Sequence, residues 1–420
     1  MSQNPCEILS QHFGHETFRP GQKEIIERLL KGSSALALFP TGGGKSLCYQ
    51  LPALVFEGLT LVVSPLIALM KDQVEALRSH EISAARLDST LERSEIDEIY
   101  SAMHGGSLRL LYVAPERLAN EGFLRRLRRT RLSLLAVDEA HCISEWGHNF
   151  RPDYLKIAEL AAELEIPRIL ALTATATPRV AEEIRDRFGI RPENHVQTGF
   201  SRANLTFAVH PTTSADRDAL LVCRIKSQAP GPAIVYVTLQ QTSERVAGDL
   251  RAVGIDARAY HAGMRDDHRA EVQDGFMSGS IDVVVATIAF GMGIDKADIR
   301  YVYHYNLPKS LENYVQESGR AGRDGEAATC EILACADDLT VLENFIYGDT
   351  PSPTALKSLV EHVLLQGERF SISRYDLSQS KDMRPSVVST ALTYLELEKI
   401  ISPKGPFYGG YRVQFLRDFD

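Results

Sequence analysis

The stretch ALALFPTGGGKSLCYQLPALV, Ala35–Val55, decides the fold. Ala35–Phe39 is an apolar run of strand length, Pro40–Ser46 reads PTGGGKS, and Leu47–Val55 is apolar at helix length. Strand, glycine-rich loop and helix in that order make a cradle for phosphates. Gly42, Gly43 and Gly44 carry no side chains, so backbone N–H groups can close around phosphate oxygens at a helix N-terminus. Lys45 supplies a cation for the β- and γ-phosphates, and the Ser46 hydroxyl suits Mg²⁺. With Thr41 these residues form the candidate nucleotide-binding loop, Thr41–Ser46. The strict pattern has Gly six residues before the lysine, where this chain has Phe39.

Working outward, the same alternation recurs. Thr60–Ser64, Leu108–Val113, Leu134–Val137 and Ile169–Thr173 read as strands. Ala68–His80 reads as a helix, with Met70, Val74 and Leu77 on one face. Upstream, Phe13–Leu30 reads as one element in which Pro20 suits a first helical turn. The pattern restarts near Thr198–Asn204. Ala233–Val237, Ile281–Ala286 and Tyr301–Tyr305 are further strands, and Thr242–Val253 is a helix stopped by Gly254. Strands alternating with helices imply parallel, doubly wound sheets, so the chain is α/β with two such domains in tandem, 1–204 and 205–340. A tail, 341–420, begins past Pro351 and Pro353 as a linker and reads as helices over Thr354–Leu365 and Pro385–Leu397. ISPKGPFYGGYRVQF then reads as strand, turn, strand. Helices followed by a β-wing predict a small winged-helix-like unit.

LLAVDEAHCISEWGHNFRPDY, Leu134–Tyr154, carries the second chemical signal. Asp138 ends an apolar strand, where its carboxylate can hold Mg²⁺ through water. Glu139 beside it can orient or deprotonate an attacking water. His141 follows, and then the chain's one tryptophan, Trp146, with Phe150 and Arg151 close behind. Glu145, Gly147, His148 and Asn149 around Trp146 are polar or glycine, which favours a loop with an exposed aromatic. Such a loop suits stacking on nucleic-acid bases. QESGRAGRDG, Gln316–Gly325, offers Arg320 and Arg323 three residues apart, expected on one helical face. They are candidate arginine fingers, supplied by the second domain to a nucleotide held on the first. The arginine-rich run FLRRLRRTRL, Phe123–Leu132, reads as a solvated helix face.

Composition sets bounds. A net charge of −9 argues against a general nucleic-acid coat protein but leaves room for one local basic track, because each charge is screened within about 8–10 Å at physiological salt. The N-terminal residues lack the basic and apolar regions of a signal peptide, and no apolar run is long enough to span a bilayer. Six scattered cysteines form neither a disulfide framework nor a zinc pattern. Free buried thiols in a reducing, cytoplasmic setting are expected, with no membrane partner.

Taken together, these motifs resemble the RecQ helicases of superfamily two, over about Leu9 to Asp338. FGHETFRPGQ, Phe13–Gln22, is similar to that family's adenine-recognition motif. The likeness implies that Gln22 reads the adenine edge and that Arg19 packs on the base. SPLIALMKDQV (Ser64–Val74), ALTATATP (Ala171–Pro178) and ATIAFGMGIDKADIR (Ala286–Arg300) follow in family order. DEAHCISEWGHNFRPDY resembles the family's aromatic-rich loop, which couples DNA binding to ATP hydrolysis. By the same likeness Thr173 and Thr175 relay between nucleotide and DNA sites, Gln316 joins the catalytic group, and Asp295 belongs to the interdomain cleft. The resemblance implies two RecA-like domains, ATP and Mg²⁺ as cofactors, single-stranded and duplex DNA as partners, and 3′→5′ movement. It stops after Leu339, where the family commonly carries four zinc-binding cysteines that this chain lacks, so no zinc is expected. In the family a β-hairpin of the winged helix can wedge the duplex, and Phe407 and Tyr408 stand where such a wedge would be.

Overall fold

The computed structural model describes residues 4–65, 67–88, 90–144, 150–199, 202–291, 296–348, 350–407 and 410–415, with the backbone alone at 68, 345–348, 404–407 and 410–415. Seven strands make the first sheet: β1 (Ala35–Leu38), β2 (Leu59–Val63), β3 (Ala84–Leu87), β4 (Leu110–Val113), β5 (Leu132–Val137), β6 (Ile169–Thr173) and β7 (His195–Gln197). Their order is β3-β4-β2-β5-β6-β1-β7, and every pairing is parallel. Parallel strands covered on both faces should be apolar without alternation. ALAL, LTLVV, LLYV and ILALT are buried at every residue.

Helices α1 (Pro5–Phe13), α2 (Gln22–Leu30), α3 (Leu47–Val55), α4 (Ile67–Ser79), α5 (Arg93–His104), α6 (Glu121–Leu127), α7 (Asp153–Glu163) and α8 (Pro178–Phe188) accompany this sheet. Phe13–Leu30 is thus not one element. Gly14, at φ 66°, ends α1 through bonds from its N–H to Leu9 and Ser10, and Gly21, at φ 80°, caps α2. Pro20 lies in the intervening turn rather than in a first helical turn.

Register does the positioning. Leu38 of β1 pairs with Thr173 of β6, and Val137 of β5 pairs with Val63 of β2 and Ala171 of β6. Since β5, β6 and β1 are consecutive and parallel, their carboxyl ends emerge side by side on one edge. Residues far apart in sequence, just past Leu38, Val137 and Thr173, become neighbours there.

The second sheet contains β8 (Leu205–Pro211), β9 (Ala233–Tyr236), β10 (Ala257–Tyr260), β11 (Val283–Ala286), β12 (Tyr301–His304) and β13 (Ala328–Ala334), in the order β10-β11-β9-β12-β13-β8. All its pairings are parallel. Its helices are α9 (Arg217–Ser227), α10 (Gln240–Ala252), α11 (Asp266–Ser278) and α12 (Leu311–Ser318), with α13 (Asp338–Gly348) following β13. One compact unit is built on this sheet, over Gly199–Glu343 together with Pro40–Gly42, and the other on the first sheet, over Met1–Phe39, Gly43–Thr198 and the residues from Asn344 onward.

The C-terminal residues form α14 (Pro353–Leu364), β14 (Arg369–Ile372), α15 (Arg374–Ser380), α16 (Pro385–Leu397), β15 (Ile401–Phe407) and β16 (Gly410–Phe415). The strands make an antiparallel sheet, β14-β16-β15. Leu359, Val363, Ile372, Leu377 and Val388 give this module its own core. Tyr394 and Leu397 of α16 instead pack against the core of the first sheet, and Lys156 of α7 forms an ion pair with Glu396. Tyr408 lies outside the described residues, and Phe407 is described in its backbone only. Among the described residues no helix is long and apolar enough to cross a membrane. Cys48, Cys142, Cys330 and Cys335 are buried free thiols, but Cys223 is exposed and Cys6 half-buried. Their surroundings, not their spacing, make that difference: Cys223 lies on the outer face of α9, whose Leu221 is buried and whose Leu220, Val222 and Ile225 pack against the second sheet's core.

Candidate nucleotide site and coupling residues

The phosphate loop follows β1 directly. Gly42 and Gly44 adopt φ 78° and 71°, the left-handed region that glycine enters without penalty. At Gly44 the approach is close as well, since an added Cβ would come within 2.5 Å of the Gln22 amide nitrogen. Gln22 opens α2 and is 3% exposed. Its Oε1 accepts from the Arg19 N–H at 2.8 Å, and its Nε2 donates to the Gly44 carbonyl at 2.8 Å. The residue singled out as an adenine reader is therefore also a strut for the phosphate loop, with one amide N–H and one lone pair in hand. Lys45 Nζ donates to the Phe39 carbonyl at 3.4 Å, and Ser46 occupies the N-cap position of α3. Thr41 and Gly43 complete the loop's turn.

Asp138 lies at the end of β5 on the same edge. Its Oδ2 accepts from Ser64 Oγ at 3.3 Å and its Oδ1 from the Glu139 N–H at 3.0 Å. Tyr154 donates its hydroxyl to the Asp138 carbonyl at 2.9 Å. Burial of the carboxylate raises its pKa to about 6, Glu139 pushes the same way, and the Lys45 cation pulls against both. Lys45 and Asp138 thus sense each other although they lie far apart in sequence. Glu139 stands at φ 50°, an uncommon conformation for a residue with a side chain, and is held there between β5 and a short helical turn over Ala140–Ile143.

His141 is 1% exposed and joins the carboxylate pair to β6. Its Nδ1 lies 3.2 Å from Glu139 Oε2 and 2.8 Å from Thr173 Oγ1. Thr173 Oγ1 donates to the Thr175 carbonyl at 3.1 Å and accepts from the Thr175 N–H at 3.2 Å. The hydroxyl has one proton, and the Thr175 carbonyl takes it. Nδ1 must therefore carry the hydrogen that faces Thr173 and Glu139. Burial disfavours the imidazolium, but hydrogen bonds and charge from Cys142 and Glu139 outweigh it and raise the pKa to about 10. A chain of contacts thus runs from Glu139, through an ion pair, to His141 and on through hydrogen bonds to Thr173 and Thr175.

Phe150 was expected as part of an exposed aromatic surface. It is half-buried and packs against the core of the first sheet, because its neighbour Arg151 ties the backbone down through a bond to the Cys142 carbonyl at 2.9 Å. The Arg151 guanidinium reaches Glu116 at 4.0 Å. Trp146 lies outside the described residues, as does Asp295. On the near side of that loop Ser144, fully buried, donates to Glu183 of α8 at 2.6 Å.

Gln316, Arg320 and Arg323 belong to the second sheet's unit. The expectation that the two arginines share a helical face fails. Helix α12 ends at Ser318, and Gly322, at φ 55°, turns the chain back so that its N–H donates to Ile299 at 2.8 Å. The glycines that seemed to keep a helical face uncluttered end the helix instead. Arg320 is 6% exposed and donates to the Gly291 carbonyl, Arg323 is half-buried, and Gln316 is buried. Beneath α12 a buried pair, His304 Nε2 and Glu317 Oε2 at 2.9 Å, anchors the last turn to β12.

Sequence reasoning missed Ser64, Tyr154 and Glu183. The first two touch Asp138 only because β2 neighbours β5 and α7 folds back on it, facts that no local motif encodes. Phe123–Leu132 is not simply a solvated helix face, since Phe123 and Leu127 are buried and α6 ends at Leu127.

Comparison with known proteins bears on this site. The DEAD/DEAH box helicase family matches residues 19–184, and the helicase conserved C-terminal domain family matches residues 216–325. The ATP-dependent DNA helicase RecQ of Bacillus subtilis is 46% identical over 336 residues, 80% of this chain and 56% of the relative. The probable ATP-dependent DNA helicase RecS of the same organism is 39% identical over 342 residues, 81% of this chain and 68% of that protein. The chain belongs to the RecQ family of ATP-dependent DNA helicases. Its two parallel sheets are RecA-like, and a DNA-bound structure of the DUF1998 helicase MrfA has the same fold, with a TM-score of 0.67 at 19% identity, covering 100% of this chain and 63% of that one. The chain spans about half the length of several RecQ relatives, 56% for that of Pasteurella multocida as well.

The donor set of this RecQ family member fits Mg²⁺. The Ser46 hydroxyl and the Asp138 carboxylate are hard oxygen donors, and the raised pKa of Asp138 marks negative charge that a cation would relieve. Among the described residues no group of three or more His, Cys, Asp or Glu side chains converges as a metal cage. Mg²⁺ in phosphoryl-transfer sites is held by one or two carboxylates plus substrate phosphates and water, so a cage is not required.

Proposed function

We propose that the chain is an ATP-dependent DNA helicase that couples Mg-ATP hydrolysis to 3′→5′ translocation on single-stranded DNA and to duplex unwinding in DNA repair and recombination. The observation that carries this reading is the path Glu139–His141–Thr173–Thr175. It links the carboxylates of the phosphate site to the motif that the family uses on the DNA side. Lys45 and the loop N–H groups bind the phosphates, Gln22 and Arg19 take the base, and Ser46 with Asp138 hold the metal. Bound there, Mg²⁺ would neutralise charge on the β- and γ-phosphate oxygens. Glu139 orients the attacking water and accepts its proton at the carboxylate, and Arg320 and Arg323 counter the spreading negative charge. Separating each stacked base step costs on average about 1.4 kcal/mol, so processive unwinding has to draw on hydrolysis. The C-terminal helices and hairpin serve in this reading as a winged-helix module beside the motor.

The test is ATP turnover with and without single-stranded DNA, at fixed salt, followed by unwinding of duplexes bearing a 3′ or a 5′ tail. Strong stimulation with unwinding of the 3′-tailed duplex supports the helicase. Stimulation without unwinding of either duplex would make the protein a DNA-dependent translocase instead, and turnover indifferent to DNA would leave an ATP-switched scaffold.

A further inference from the structure

Between α5 and α6 the first sheet's unit carries a cavity of about 670 Å³ that the nucleotide site does not use. Asp97, Tyr100, Ser101, His104, Arg125, Arg126 and Arg129 line it, so three guanidiniums and an imidazole face a single carboxylate in a chain whose net charge is −9. The floor is prebuilt. The Arg126 guanidinium lies 4.3 Å over the Tyr100 ring and donates to the Gly122 carbonyl at 2.9 Å. Arg117 donates to the Tyr100 hydroxyl at 2.9 Å, which leaves that hydroxyl's own proton for a ligand. Arg125 and Arg129 are exposed, and among the described residues neither makes an ion pair or a side-chain hydrogen bond. Guanidiniums placed together without an acidic partner repel one another and favour a multiply charged anion that takes several at once.

The position of the cavity selects the kind of anion. Helix α5 returns the chain from the carboxyl end of β3 to the amino end of β4, and α6 leads into the amino end of β5. His104 closes α5, and Arg125, Arg126 and Arg129 gather at the end of α6, so the basic residues stand at the amino edge of the sheet. Lys45, Asp138 and Thr173 stand at the carboxyl edge. On the function proposed above, DNA engages the Thr173–Thr175 side, at the edge opposite this cavity. We propose that this cavity is a docking site for an acidic peptide segment of a partner protein, whose Asp or Glu carboxylates pair with Arg125, Arg129 and the Tyr100 hydroxyl.

The experiment uses the full chain and a fluorescein-labelled octapeptide of alternating Asp and Glu, read by anisotropy at low salt with saturating oligo-dT present to occupy the nucleic-acid face. The double variant Arg125→Glu/Arg129→Glu is expected to lose at least about tenfold in peptide affinity, one strong charge-assisted pair's worth. Its thermal midpoint and its DNA-stimulated ATP turnover should stay at the parental level. Arg125→Lys/Arg129→Lys, which keeps charge but not the bidentate fork, should fall between the two. Equal peptide binding by parent and double-Glu variant overturns the proposal. So does a loss of oligo-dT affinity in the double-Glu variant, which would make the cavity a nucleic-acid contact.

Discussion

Replacing Thr173 by Val removes one hydroxyl and keeps the shape. That hydroxyl serves three partners: the His141 imidazole at 2.8 Å, the Thr175 carbonyl at 3.1 Å and the Thr175 N–H at 3.2 Å. All three are buried beside it, so water does not readily take its place. At about 1 kcal/mol for each lost bond the variant should be destabilised by about 3 kcal/mol. For a motor unit of this size that lowers the thermal midpoint by about 6–12 °C, measurable by scanning calorimetry. Function should split. Basal turnover persists, because Lys45, Asp138 and Glu139 keep their places. Stimulation by single-stranded DNA should drop about tenfold, the equivalent of roughly 1.4 kcal/mol of coupling. Thr173→Ser, which restores the hydroxyl, should recover stimulation. If Thr173→Val shows the drop in midpoint yet is stimulated by DNA as fully as the parent, the Glu139–His141–Thr173–Thr175 path is structural and carries no signal.

Other substitutions probe the remaining parts. Lys45→Ala should abolish hydrolysis, and intact turnover in a phosphate-release assay would remove the phosphate loop from the reading. Gly44→Ala forces a side chain into φ 71° and against Gln22, costing about 1–2 kcal/mol from the backbone alone, so ATP affinity in a fluorescent-nucleotide titration should fall roughly tenfold. Trp146→Ala should keep nucleotide binding and lose DNA stimulation, and a fully stimulated variant would take the coupling role away from the aromatic-rich loop. Asp138 has its pKa raised from 3.8 to about 6 on folding. The folded state therefore holds that proton more tightly, and metal-free stability should decline as pH rises through that window. Asp138→Asn should flatten this limb of a midpoint-versus-pH curve. Bound Mg²⁺ would favour the ionised carboxylate and lower this pKa, so the midpoint of the Asp138-dependent limb should move to lower pH when Mg²⁺ is added, and a limb unmoved by Mg²⁺ would exclude Asp138 as the metal holder.

Much of this protein is legible from local signals. Short continuous apolar runs bounded by turn residues and alternating with helical stretches fit strands buried on both faces, so ALAL, LTLVV and ILALT announce a parallel sheet before any coordinate is known. PTGGGKS is the signal on which phosphate binding is expected, since three glycines next to Lys and Ser at a strand–helix junction suit a phosphate at a helix N-terminus. Elements with short or weakly periodic sequences escaped the same reading. β3 and β10 mix arginine with apolar residues, and α1 is hidden by the Gly14–Gly21 turn that joins it to α2. Gly319 and Gly322 misled in the other direction, since residue spacing describes a helical face only while the helix lasts.

What sequence alone supplied is the expected chemistry, that is, the residues proposed to hold a phosphate, a metal or a proton, and the two α/β domains that carry them. What the tertiary structure decided is adjacency. Sheet order put the ends of β1, β5 and β6 side by side, so that Lys45 senses Asp138 and His141 meets Thr173. It also packed Phe150 half-buried against the first sheet's core, turned Gln22 onto the glycine-rich loop and gathered arginines on the opposite edge around Tyr100. The physical reason is that a motif is written along the chain, whereas electrostatics and hydrogen bonds act over a few ångströms across it. Only the parallel register of the strands converts one into the other.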